Sequence, residues 1–157
     1  MVLYPLTERQ EFIPLIARLK YAEFSHLSPN KSVEDFETGL RKHLNYDSLP
    51  ITFVKVSESE EFLGAYSLQV KHRNLRSHHH LTPWLASLFV PIEHRKKGIG
   101  SSLVQDAEER ASLLGFKNLY LFTPDQANWY VKLGWSILEP AMMNHIPVLV
   151  LSKSIRS

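Results

Sequence analysis

The stretch Arg95-Lys96-Lys97-Gly98-Ile99-Gly100 holds the residues of this chain whose types and spacing best suit chemistry. It follows an apolar run, residues 84–90, that Pro91 closes. It precedes Ile99, Leu103, Ala107, Ala111 and Leu114, which share one helical stripe before Gly115. A loop in that position presents backbone N–H groups at a helix N-terminus, where they have no intrahelical acceptor. Two glycines admit a close-lying anion and three basic side chains add charge, while the helix dipole contributes about 0.3–2 kcal/mol. A diphosphate fits such a site. A solvated basic turn with a glycine cap satisfies the same hexapeptide, so the flanking elements have to decide. The segment lacks the Gly-x-x-x-x-Gly-Lys pattern of nucleoside-triphosphate loops and the third glycine and distal acidic residue of dinucleotide folds, which excludes kinase and Rossmann readings.

Other reactive types contribute less. The chain has no cysteine, so disulfides, thiolate metal sites and a cysteinyl acyl intermediate are excluded, and a reducing, cytoplasmic setting is expected. His78-His79-His80 has no carboxylate beside it, and consecutive residues rarely converge on one ion. The expectation is a solvated loop with no metal, from which a histidine could act as a base.

The elements that must position these residues are legible in outline. Thr7 to Gln10 has the form of a capping box ahead of Phe12, Ile13, Leu15, Ile16 and Leu19, although Pro14 predicts a kink or a later start. Ser32 caps a second short helix with Phe36, Leu40 and Leu44. Residues 51–56 and 62–70 read as antiparallel strands, 72–83 as a loop and 84–90 as a buried strand. After the helix that begins near Gly98 come a strand at 118–122, a short helix at 125–133 closed by Gly134, and strands at 135–138 and 147–152. Neither a repeat nor a Gly/Ser-rich linker interrupts this order, so residues 1–157 are expected to form one mixed α/β domain. Near-balanced charge, 18 basic against 16 acidic residues, gives no support to bulk nucleic-acid binding, and no apolar run is long enough to span a membrane. A local basic patch of Arg73, Arg76, Arg95, Lys96 and Lys97 remains as a rival nucleic-acid surface.

The Arg-x-x-Gly-x-Gly loop after a strand ending in Val90-Pro91 resembles motif A of the GNAT superfamily, the acetyl-CoA-dependent N-acetyltransferases. Residues 84–115 resemble that family's fourth strand and third helix. Residues 118–135, with Trp129-Tyr130-Val131-Lys132-Leu133-Gly134-Trp135, resemble its motif B. The resemblance implies the GNAT fold: a mixed, mostly antiparallel sheet of six to seven strands, splayed between the fourth and fifth, with about four helices. It implies that the amides of Lys97, Gly98, Ile99, Gly100 and Ser101 hold pyrophosphate, that Arg95 and Lys96 add charge, and that Phe89 and Val90 pair with pantetheine. The N–H of Leu88 then polarises the thioester carbonyl, an element worth about two to three decades in rate. Tyr130 matches the tyrosine that protonates the departing thiolate, and a core tyrosine beside Leu133 and Trp135 is the alternative.

Where many relatives carry a cofactor-contacting Asn, this chain has Thr123, and where some carry a carboxylate base on the fourth strand, it has Trp84. The acceptor side is expected around His79, His80 and Trp84, with Met142, Met143 and His145 in a loop bordering it. The implied activity is direct transfer of an acetyl group to a primary amine, either a protein N-terminus or a small molecule, without a metal. A non-catalytic acetyl-CoA sensor and the use of another acyl-CoA are the alternatives. A homodimer is compatible with the resemblance; a membrane or a specific nucleic acid is not expected as partner.

Overall fold

The computed structural model describes residues 1–71, 75–78 and 80–155. Seven strands form one mixed sheet: β1 (Val2–Pro5), β2 (Ile51–Val56), β3 (Phe62–Gln69), β4 (Trp84–Phe89), β5 (Asn118–Thr123), β6 (Ser136–Met143) and β7 (Ile146–Ser154). They run in the order β1-β2-β3-β4-β5-β7-β6, with β4 and β5 parallel. The α-helices are α1 (Ile13–Phe24), α2 (Val33–Arg41), α3 (Ile99–Leu113) and α4 (Ala127–Lys132). This is the fold class expected from the sequence.

Local chemistry accounts for most boundaries. Pro14 lacks an N–H and is tolerated only in a first turn, so α1 begins at Ile13. The residues before it form two 3-10 turns, and the Gln10 side chain donates to the Thr7 carbonyl at 3.1 Å instead of closing a capping box. The box does form at α2, where Ser32 Oγ accepts from the Asp35 N–H at 3.1 Å and Asp35 Oδ2 accepts from the Ser32 N–H at 2.9 Å. Such a cap stabilises by about 1 kcal/mol. At the end of α3, Gly115 adopts φ +95, and the Phe116 and Gly115 N–H groups return to the carbonyls of Ala111 and Ser112, a Schellman turn.

Two elements differ from expectation. β1 is an edge strand of four residues, too short for its alternation to stand out, and it pairs antiparallel from Val2↔Val56 to Pro5↔Phe53. Pro5 is tolerated there because an edge strand can lack a ladder donor. β6 runs to Met143, so Met142 and Met143 belong to a strand and not to a loop. Asn144 and His145, at φ 49 and 68, make the tight turn into β7, the primed geometry that matches strand twist.

Two compact units divide the chain, Met1–Ser67 with Ser87–Val104 and Leu68–Ala86 with Gln105–Ser157. The first packs Leu6, Ile16, Leu40, Val54 and Phe62 around Phe89. The second packs Leu75, Trp84 and Val150 with Tyr120 and Phe122 against them. Among the described residues no helix is long and apolar enough to cross a membrane.

Candidate functional site

In the first unit, the end of β4 and the loop after it carry most of the residues singled out by sequence. Phe89 and Val90 are buried and Leu88 half-buried. Phe89 is wedged edge-on against Phe24 of α1, with ring centroids 6.2 Å apart, and tilted against Phe62 at 5.8 Å. Ser87 adopts φ 54, a left-handed residue within a strand, and so breaks the regular alternation of β4 directly before Leu88. β3 approaches this segment closely at Gly64. A Cβ there would lie 2.9 Å from Leu103 Cδ1 and 3.0 Å from the Phe89 carbonyl oxygen. Sequence reasoning missed this position; its signal is a glycine inside an otherwise apolar strand.

Beyond Pro91 a 3-10 turn, Ile92–His94, leads to Arg95, and left-handed Lys96 and Gly98, at φ 64 and 80, precede α3. Alternating handedness of this kind turns successive N–H groups toward one side. The Ser102 N–H donates to the Gly98 carbonyl at 3.1 Å as the first turn of α3 closes. The N–H groups of Ile99, Gly100 and Ser101 therefore have no intrahelical acceptor. Arg95 to Gly98 are exposed, and nothing lies within 4 Å of where a Gly98 Cβ would stand. The Arg95 side chain is held by its own loop: Nε donates to the Val90 carbonyl at 2.8 Å, and Nη2 to Glu23 of α1 at 3.2 Å. The loop is thus an open cationic cradle of backbone donors, fit for a multiply charged anion.

The second unit holds Tyr130 on α4. In the turn before it, Thr123 Oγ1 accepts from the Gln126 N–H at 2.9 Å, and Gln126, the N-cap of α4, has no side chain capping it. Thr123 is thus buried and bonded to its own turn at the position where the resemblance places an Asn in many relatives. Tyr130 is 9% exposed and meets the edges of Trp129 and Trp135 at 4.8 and 6.0 Å. Burial pushes its phenol up to about 12. Asn128 is exposed.

The acceptor-side expectations fare unevenly. His79 lies outside the described residues, as do His72 and Arg73, and His80 is exposed. His78 is buried and has the carboxylate that sequence proximity could not supply: its Nε2 lies 2.5 Å from Glu139 Oε1 of β6, with Ser77 Oγ 2.7 Å from Nδ1. Trp84 has no exposed surface to offer an acceptor; its indole N–H donates to the Leu81 carbonyl at 2.7 Å within the core. An apolar groove of about 450 Å³ is lined by Pro124, Pro140, Met142, Pro147 and Leu149. Among the described residues no three His, Asp or Glu side chains are grouped to hold a metal ion.

The sequence profile of the acetyltransferase (GNAT) family matches residues 15–135. An amino-acid acetyltransferase of Pseudomonas syringae is 36% identical over 63 residues, and one of Pseudomonas aeruginosa is identical to the same degree over the same length. Each match covers 40% of this chain but only 14% of the relative, so the chain corresponds to a small part of those proteins. In fold, the chain resembles an aminoglycoside 6'-N-acetyltransferase complexed with coenzyme A, at TM-score 0.78 and 16% identity over 100% of this chain and 98% of that one. It also resembles the spermidine N-acetyltransferase of Vibrio cholerae, in complex with CoA and spermine, at TM-score 0.73 and 16% identity over 98% and 95% of the two chains.

Proposed function

Since the chain belongs to the acetyltransferase (GNAT) family, we propose that residues 1–157 form one acetyl-CoA-dependent N-acetyltransferase domain acting on a primary amine in the cytoplasm. The observation that carries this reading is the cradle of residues 95–101, built of backbone donors and basic side chains directly after the apolar end of β4. N-acetyltransferases of aminoglycosides and spermidine share the fold, which supports an amine acceptor.

Acetyl-CoA supplies the activated acyl group as a thioester. The amides of Lys97 to Ser101 bind its diphosphate, with Arg95, Lys96 and Lys97 offsetting the charge. Glu23 yields part of its hold on Arg95, an exposed pair that itself contributes little. The backbone of Phe89 and Val90 aligns the pantetheine arm. The Leu88 N–H, re-aimed by the left-handed Ser87, donates to the carbonyl oxygen as negative charge develops there.

The amine nitrogen bonds to the carbonyl carbon, and the C–S bond breaks with its pair going to sulfur. Tyr130 donates its O–H to that sulfur, and the proton shed by the nitrogen restores the phenol. A phenol at about 12 stays protonated at every working pH. Against a thiol of ordinary pKa, about 8.5, transfer of that proton is uphill by about 5 kcal/mol. It therefore moves late, as the sulfur gains charge in surroundings dry enough to raise its basicity. The acceptor must arrive neutral. An α-amine near pKa 8 is neutral to about a tenth at pH 7, whereas a lysine near 10.4 is neutral to less than about a thousandth.

Mass spectrometry of a mixed amine pool after incubation with acetyl-CoA tests the reading. The pool holds α-amine peptides, internal-lysine peptides, polyamines, aminoglycosides and amino acids. Acetylation of one class names the acceptor; calorimetric binding without product would favour a sensor domain, and absence of acetyl-CoA binding would overturn the proposal.

A further inference from the structure

Phe36 of α2 is the centre of a cluster in the first unit that the transfer reaction leaves unused. Lys20 Nζ lies 5.6 Å from the centroid of its ring and Lys31 Nζ 5.2 Å, so two ammonium groups face one buried aromatic side chain. His43 adjoins them, its Nδ1 bonded at 2.9 Å to Thr52 Oγ1, which in turn meets Ser67 at 2.7 Å. Burial and the two lysines push the imidazole down to about 4, so it carries no charge at neutral pH. Burial, and secondarily Lys31, pushes the Lys20 amine down to about 8. At pH 8 about half of such a lysine is neutral, against under about 1% of an ordinary one.

The location of Lys20 matters as much as its surroundings. Glu23 and Phe24, three and four residues further along α1, share its helix face. Glu23 holds Arg95 of the cradle, and Phe24 packs on Phe89 of β4. Lys20 thus stands one helical turn from the two α1 residues that touch the proposed acetyl-CoA site.

We propose that Lys20 is a self-acetylation site, its half-buried amine over Phe36 taking the acetyl group from acetyl-CoA held on the adjoining β4 and cradle. The inference rests on the proposed acetyl-CoA binding. The Lys20 nitrogen adds its lone pair to the thioester carbonyl carbon; the C–N bond forms, the C–S bond breaks with its pair going to sulfur, and the surplus amine proton neutralises the thiolate. The product removes one of the two charges that crowd Phe36.

The test incubates the full chain at pH 8 with carbon-13-labelled acetyl-CoA and follows each lysine by peptide mass spectrometry. A pool of free amines in the same tube reports the transferase activity separately. Lys20 should be acetylated at least about tenfold faster than the exposed Lys42 and Lys117. Excess unacetylated CoA should suppress it, and Lys31→Gln, which removes the neighbouring charge, should slow it about twofold or more. Lys20 reacting no faster than Lys42 and Lys117, or at a rate indifferent to CoA or to Lys31→Gln, would overturn the proposal. Acetylated free amines beside an unmodified Lys20 would do so while leaving the transferase reading intact.

Discussion

Tyr130 and His43 show how burial sets the working state of a single side chain. The Tyr130 phenol can serve as proton donor because its surroundings disfavour the phenolate. Tyr130→Phe is expected to lower kcat at least about tenfold while leaving the KM for acetyl-CoA nearly unchanged; an unaltered kcat would reduce Tyr130 to packing between Trp129 and Trp135. His43 gives the clearest pH dependence of stability. Its folded value of about 4 lies below the ordinary 6.5, so the unfolded chain binds the extra proton first as pH falls. Its contribution is fully present above about pH 6.5 and is lost between there and about pH 4, up to about 3 kcal/mol. Urea unfolding at pH 7 and at pH 4.5 should show this loss in the wild type, and a smaller one in His43→Gln.

Among the elements, the junction of β3, β4 and α3 is the most sensitive. Gly64 lets β3 lie against the Phe89 carbonyl and the Leu103 side chain, both of which a Cβ would crowd. Leu103 can swing away, but a strand carbonyl cannot. Gly64→Ala should therefore destabilise by about 1–3 kcal/mol and raise the KM for acetyl-CoA, because Phe89 and Val90 shift with the strand. Thermal melting and initial rates check the two effects together. At the head of α3 the requirement is conformational: Gly98 has open space around it but φ 80, so Gly98→Ala should cost about 1–2 kcal/mol and weaken acetyl-CoA binding measured by calorimetry.

For the molecule as a whole, the chain passes between its two units inside β3, between Ser67 and Leu68, inside β4, between Ala86 and Ser87, and inside α3, between Val104 and Gln105. Two strands and a helix that each belong to both units cannot melt in one without fraying in the other. If residues 1–157 act as one domain, calorimetric and spectroscopic unfolding should coincide in a single transition, and two separate transitions would refute it. The sequence by itself determined the cradle at 95–101, the α2 cap at Ser32, the helical stripe of α3 and the order of most strands. Each of these depends on neighbours within a few residues, where backbone periodicity and local hydrogen bonding dominate. Only the tertiary structure decided what depends on distant partners: Glu139 closing on His78 from 61 residues away, Gly64 fitting behind Phe89, and Lys20 and Lys31 meeting over Phe36 close enough to act on His43. Burial and like-charge proximity are properties of that packing, so the proton affinities they set could not be read from residue types alone.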